Sequence, residues 1–321
     1  MRNRRFFVLS LLILVFFGWC SAGWGGTPLH VFVSLAPQKE FVERLAGDRV
    51  KVTVLVPSGT DPHTFEPSPE HMKGLSQASL YFAIGFPFEK NLLSRIRSLN
   101  PHLKVVQTDQ GLLKIPMHGH FHSEDQVTAS HESHAGEKRE ETRQETSKHH
   151  AASHGHEAGE PDPHVWLSPP MVMNMARTMS LALMEADPED RAGYEARYIS
   201  FLMGVAALDL EISRIFLNAK PPRAFYVFHP SWGYFAEAYG LQQVAVEFEG
   251  KEAKPHHLKE IIASGKQAGV RTLFVQPQFS KKAAEMVAKE MGAKLEVIDP
   301  LAENWMDNLR QVSYRIREAM P

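Results

Sequence analysis

The chain has 321 residues, of which 43% are hydrophobic and 22% charged, with a formal net charge of −2. That length is enough for two domains, each with its own core, and the charge balance argues against nucleic acid as a partner. Cys20 is the only cysteine, which excludes an intramolecular disulfide in any redox compartment.

Arg2, Arg4 and Arg5 precede an apolar run from Phe6 to Phe17, followed by small residues around Cys20, Ser21 and Ala22. This is the pattern of a signal peptide over residues 1–22, and the run is too short for a permanent membrane span. Its removal leaves 32 basic against 37 acidic residues, a charge of −5. Cleavage near Ala22 gives an exported, periplasmic protein. A lipid anchor at Cys20 and an uncleaved anchor are the alternatives, although Trp19 stands where a lipoprotein site places a small residue before its cysteine.

Leu29–Leu35 alternates and is rich in β-formers, so it reads as a strand. A helical pattern follows over Gln38–Leu45, and Lys51–Val56 is a second strand, ended by the turn-forming Pro57-Ser58-Gly59-Thr60-Asp61-Pro62. Then come His63, a short helix over Pro69–Gln77, a strand over Leu80–Gly85, a helix over Phe88–Leu99 and a strand over Lys104–Gln107. Strands alternating with helices in short units predict a parallel sheet covered on both faces.

Regularity stops over residues 109–161. Nine histidines stand there, His118, His120, His122, His131, His134, His149, His150, His154 and His156, among Ser, Glu, Lys, Thr, Ala and Gly. A segment with so little to bury cannot offset its ordering entropy and is expected to be disordered. It reads either as a tolerated insertion, as a tract that gathers metal weakly at several sites, or as a sensor of metal load. Imidazoles bind Cu²⁺ and Ni²⁺ as well as Zn²⁺, so the tract does not define the metal. The tenth histidine of the cluster, His164, lies beside Val165, Trp166 and Leu167, where ordered sequence resumes.

An apolar helix is expected over Met171–Glu185. Asp187 then reads as an N-cap and Pro188 as the first residue of a long helix. Tyr194, Tyr198, Phe201, Val205, Leu208, Ile212 and Ile215 follow in one apolar stripe, until Pro221-Pro222 stops the helix. About thirty residues at ~1.5 Å each give roughly 45 Å, the length of a rigid strut between two lobes. A second α/β set follows, with strands over Arg223–Phe228, Leu241–Phe248, Thr272–Gln276 and Leu295–Ile298, and helices over Trp232–Tyr239, Pro255–Ala268, Lys281–Met291 and Asn304–Ala319.

The expected fold is therefore α/β, with two doubly wound lobes joined by one long rigid helix and a ligand site in the cleft between them. Residues 28–186 form the first lobe, 187–220 the linking helix and 221–321 the second lobe. His63, His164, His229 and Asp299 are the candidate ligands, since they follow strands or loops where α/β sheets collect ligands. Three imidazoles and a carboxylate suit tetrahedral Zn²⁺. Affinity should then fall as pH drops through about 6, because only neutral imidazole binds metal. Taken singly, a histidine at a strand end is more often a satisfied core residue, and Asp299 before Pro300 more often a turn former.

The stretches GTDPHTFEPSP, DPHVWLSP, FHPSWGYFAEAYGL and VIDPLAENWMDNL together resemble the metal-specific solute-binding proteins of bacterial ABC importers, in particular their zinc-binding branch. The resemblance covers nearly all of the chain after the signal. It implies that His63, His164, His229 and Asp299 hold transported Zn²⁺. It also implies that the partner is an inner-membrane ABC permease with its cytoplasmic ATPase, and that the protein acts as a monomer and not as an enzyme. His229 stands where the manganese branch has Glu, which favours zinc over manganese or another divalent metal. Pro62 stands where some zinc members carry Glu, which gives Asp299 weight, and Gln276 replaces a frequent Glu, which puts any charged contact there in doubt. Glu247 and Glu249, near Lys251, read as solvated or as groups behind the ligands. The strut implies a small tilt of the lobes rather than a wide hinge motion. A zinc-dependent hydrolase is the rival class, but no HExxH is present, and Glu66 after His63 and Glu260 after His257 give only H-x-x-E. An adhesin or metal buffer is a third class.

Overall fold

The computed structural model describes residues 27–117, 161–247 and 255–320. The signal peptide with Cys20, the nine histidines from His118 to His156, and Glu249 and Lys251 lie outside the described residues.

In the first lobe, β1 (Leu29–Val33), β2 (Val50–Val54), β3 (Leu80–Ala83) and β4 (Lys104–Gln107) form a parallel sheet in the order β2-β1-β3-β4. All four residues of β3, and Val31, Phe32 and Val33 of β1, are buried. This is why the central strands read as continuous apolar runs and not as clean alternation. The crossovers run through α1 (Ala36–Ala46), α2 (Pro69–Leu75) and α3 (Pro87–Leu99). Proline stands at the head of α2 and α3, where no intrahelical N–H is lost. Ser68 caps α2 by accepting the His71 N–H. Beyond β4 the chain returns with α4 (Pro169–Ala186), which packs on α1.

The linking helix α5 runs from Arg191 to Phe216, 26 residues or about 39 Å. It packs on α1 and α4 of the first lobe and on the last helix of the second. Its start differs from the sequence expectation. Pro188–Asp190 form a 3₁₀ turn, and Asp187 caps nothing with its side chain. Its Oδ2 instead accepts from Arg49 Nε at 2.7 Å and from the Tyr194 hydroxyl at 3.0 Å. A carboxylate that a guanidinium and a phenol both reach gains more than an N-cap bond provides, so tertiary contact overrides the local cap.

The second lobe repeats the plan. β5 (Ala224–Val227), β6 (Gln242–Ala245), β7 (Thr272–Val275) and β8 (Lys294–Val297) form a parallel sheet in the order β6-β5-β7-β8. The helices are α6 (Gly233–Ala238), α7 (Pro255–Gln267), α8 (Lys281–Met291) and α9 (Trp305–Ala319). The lobes do not have separate cores. One connected cluster of buried side chains runs from Val31 and Phe82 through Phe201 and Leu208 of α5 to Phe225, Leu309 and Ile316. A smaller cluster around Tyr226, Leu273 and Met291 is confined to the second lobe. The stripe read from the sequence is the bridge. It is apolar enough to pack on α1 and α4 at one end and on α9 at the other, so it merges two cores.

Two indole bonds cross between the lobes. Trp166 Nε1 donates to the Pro300 carbonyl and Trp305 Nε1 to the Trp166 carbonyl, each at 2.7 Å. Trp305 also meets Phe41 of α1 edge-on, with ring centroids 5.0 Å apart. Lys39 pairs with Glu303, and the Met306 N–H donates to Glu40 Oε2 at 3.4 Å.

Candidate metal centre

His63 and His164 stand in the same local device. Each follows an Asp-Pro pair, and in each the aspartate Oδ1 accepts the histidine's backbone N–H at 2.9 Å. Such an Asx turn fixes the backbone without a neighbouring strand, so each imidazole is aimed by its own dipeptide. Asp162 does more, since its Oδ1 also accepts from His164 Nδ1 at 2.7 Å. His229 follows β5 and is held from β7. Gln276 Nε2 donates to the His229 carbonyl at 2.7 Å and to Ser231 Oγ at 3.0 Å, while its Oε1 accepts the His229 N–H at 3.3 Å. Gln276 therefore positions His229 through its backbone, a role that needs no charge. Glu247, at the end of β6, is buried and its Oε2 accepts from His229 Nδ1 at 3.0 Å. The reading of Glu247 as solvated is thus corrected.

With Nδ1 donating to a carboxylate, His164 and His229 each turn an Nε2 lone pair outward, the orientation found behind ligating imidazoles. One nitrogen from each of His63, His164 and His229 lies within 4.8 Å of the others. The ring centroids are 5.2 to 5.4 Å apart. Nε2 of His63 and Nε2 of His229 are buried without a hydrogen-bond partner. Buried polar atoms left unpaired are costly, and a divalent cation at the centre of the three would satisfy them. Phe86 meets His63 and His164 edge-on, and Phe279 stacks on His229 at 4.5 Å. The site is dry on those sides, which strengthens its electrostatics. Gly233, at the start of α6, lets the helix approach Asp162, whose Oδ2 would lie 2.9 Å from a Cβ there.

The fourth residue expected from the sequence is not in this gathering. Asp299 lies outside the cluster of ligand atoms, and its Oδ1 accepts from the Leu301 N–H at 2.9 Å and from Gln278 Nε2 at 3.0 Å. The roles of Asp162, Gln276 and Glu247 come from spatial pairing, which a single sequence does not display. The repeated Asp-Pro-His was the one local signal that marked Asp162. A separate cleft lies at the foot of the first lobe, where Arg49 and Arg197 are paired with Asp187 and Asp190.

Burial first, then the neighbouring His164 and His229, holds His63 down to about 3. Burial, then His229, holds His164 well below the ordinary imidazole range. Burial raises Asp162 to about 7. Metal displaces protons from imidazole, and these two imidazoles carry none to displace near neutral pH. Between about pH 7 and 5, the logarithm of the affinity should therefore fall with pH at a slope below three. Three ordinary imidazoles near 6.5 would approach a slope of three. The decline expected around pH 6 is thus shallower than solvated ligands would give. Competition titrations across this range check the slope, and a slope of three would mean that the triad is solvated in the free protein.

Two parallel α/β lobes that present three histidines, two of them buried, to one point define a two-lobed, metal-binding solute-binding protein. A family described as ZnuA, zinc-uptake complex component A, periplasmic, matches residues 31–319, and the chain belongs to it. The zinc-binding protein AdcA of Streptococcus pyogenes is 26% identical over 306 residues, which cover 93% of this chain and 56% of that relative, so the chain spans about half of AdcA's length. The high-affinity zinc uptake system protein ZnuA of Bacillus subtilis is 26% identical over 284 residues, covering 88% of this chain and 81% of that one. A crystal structure of ZnuA superposes with a TM-score of 0.75 at 35% identity, covering 91% of this chain and 99% of its own.

Proposed function

We propose that the protein captures Zn²⁺ outside the inner membrane and delivers it to an ABC permease driven by a cytoplasmic ATPase. His63, His164 and His229 hold the ion, and the fourth position lies on the side of Gln278 and Asp299. The observation that carries this is the set of buried nitrogens gathered within 4.8 Å, two of them unpartnered. Three imidazoles favour Zn²⁺ over Mn²⁺, which prefers oxygen donors. The names of the relatives agree, since they describe zinc binding and zinc uptake.

Binding is proposed rather than catalysis. A zinc hydrolase needs a water on the metal and an acid–base group beside it. The carboxylates of Asp162 and Glu247 are instead bonded to Nδ1, on the far side of the imidazoles from the metal, and Asp61 accepts the His63 backbone N–H. The tract from His118 to His156 is proposed to gather metal near the cleft, an effective-concentration role.

The test is a competition titration of the purified protein with Zn²⁺, Mn²⁺ and Cu²⁺, with and without residues 118–158. One tight zinc site should survive the deletion while the total number of ions bound falls. Loss of the tight site with the tract would make the tract the primary binder, and tighter binding of Mn²⁺ than of Zn²⁺ would overturn the choice of metal.

A further inference from the structure

The two ends of the histidine-rich insertion lie side by side. Pro116 and Pro161 face each other in an isolated antiparallel bridge, and the Asp162 N–H donates to the Ile115 carbonyl at 2.9 Å. Facing residues of a hydrogen-bonded antiparallel pair normally exchange two bonds. Here the return bond runs through a side chain of the second lobe. The Tyr234 hydroxyl of α6 accepts from the Ile115 N–H at 3.2 Å and donates to the Asp162 carbonyl at 2.8 Å. Pro116 and Pro161 have no N–H with which to strengthen the pair. Tyr234 is 1% exposed and Asp162 2%, so the Asp162 carbonyl has no water to replace the hydroxyl. Asp162 in turn fixes His164, whose backbone N–H and Nδ1 both donate to its Oδ1, at 2.9 and 2.7 Å. Gly233 makes the approach close: a Cβ there would lie 2.9 Å from Asp162 Oδ2 and 3.2 Å from Ile115 Cδ1.

We propose that Tyr234 is a positioning residue of the metal centre: from the second lobe, its hydroxyl pins the two ends of the insertion together and aims His164 through Asp162. This rests on the three-histidine reading above. The two Asp-Pro-His turns differ in what they need. The turn at His63 follows β2 and leads into α2, and Asp61 is satisfied inside it, by the His63 N–H and the Thr64 hydroxyl. The turn at His164 follows a long insertion, and bringing the chain back to one place has an entropic cost that contacts at the stem must offset. Tyr234 supplies such a contact on both sides of the stem at once. His164 therefore follows the first lobe in the chain while its aim depends on α6 of the second. A tilt that drew α6 away from the stem would lengthen both hydroxyl bonds and loosen one ligand, so Tyr234 couples the position of the lobes to the hold on the ion.

The test compares Tyr234→Phe with the parent, in the full chain and with residues 118–158 deleted. Phenylalanine keeps the ring in place and removes the hydroxyl. Zinc affinity is measured against a chelator strong enough to leave only the tight site filled, and one equivalent of Co²⁺ reports the geometry of the donors through its visible absorption. In the full chain, Tyr234→Phe should weaken zinc about tenfold and shift the cobalt bands, the low end of the range for groups behind metal ligands. After the deletion, Met117, Gly159 and Glu160 alone join Pro116 to Pro161. So short a connection holds the ends without the hydroxyl, and the loss should shrink to about threefold or less. In His164→Ala, Tyr234→Phe should weaken zinc no further, because the ligand it aims is gone. The proposal is overturned if Tyr234→Phe lowers the melting temperature of the metal-free protein yet binds zinc as tightly as the parent with unchanged bands. It is also overturned if the loss is undiminished by the deletion or by His164→Ala. Should Tyr234→Phe not fold, Gly233→Ala keeps the hydroxyl but presses a methyl against Asp162, and it should give the same pattern of losses. His229→Ala in the same assay separates the two levels. If the tight site persists in that variant, the three-histidine reading itself fails, whatever Tyr234 does.

Discussion

His229→Ala is expected to abolish the tight zinc site. Four-ligand zinc sites bind with roughly 10–16 kcal/mol, so one ligand accounts for about 3–4 kcal/mol, a loss on the order of 10²–10³-fold. The choice of His229 follows from its surroundings. Its ring is 2% exposed, stacks on Phe279, and is fixed at Nδ1 by Glu247. The substitution also leaves Glu247 buried without its partner, which should cost the metal-free protein about 1–3 kcal/mol. Zinc competition read beside a metal-free melt separates these effects. A tight site that survives in a folded variant would remove His229 from the ligand set.

Trp305→Ala is expected to have the largest effect on stability. The indole is 1% exposed, meets Phe41 of the first lobe and donates to the Trp166 carbonyl. Truncating a buried tryptophan costs about 3–5 kcal/mol, and the orphaned carbonyl adds to it. For a chain of this size each kcal/mol lowers the melting temperature by roughly 2–4 °C, so a drop of roughly 6–20 °C is expected without metal. The contact joins α9 to α1 across the shared core, so both lobes should melt together at the lower temperature. Saturating zinc should recover part of the drop, because a ligand that binds only the folded state stabilises it. Trp305→Phe keeps the ring contact but not the bond and should lie in between. A melting temperature within a degree or two of the parent would show that the indole does not join the lobes.

Most of the fold was legible in the sequence because its signals are local. The β-rich runs of β3 and β7, the spacing from Tyr194 to Ile215 and the prolines that head α2, α3 and α7 each act through a few adjacent residues. Helix ends were less certain. Asp187 read as a cap because the sequence does not show that Arg49, far off in the chain, comes within 2.7 Å of it. The three histidines were legible for a related reason. Two sit in Asp-Pro-His turns that fold on their own side chains, and the third ends a strand.

What the sequence determined by itself, then, was two parallel α/β units, a long apolar helix between them, and three imidazoles at the loops where such sheets collect ligands. These depend on periodicity and turn chemistry, which neighbouring residues fix. Only the tertiary structure decided the rest. It merged the two cores through α5, placed Asp162 and Glu247 behind the imidazoles, and set Asp299 on a turn where it accepts from Leu301 and Gln278. Each of these depends on which strand ends and helix faces meet, and on which buried polar atom finds a partner. Packing settles those questions over distances that residue spacing does not encode.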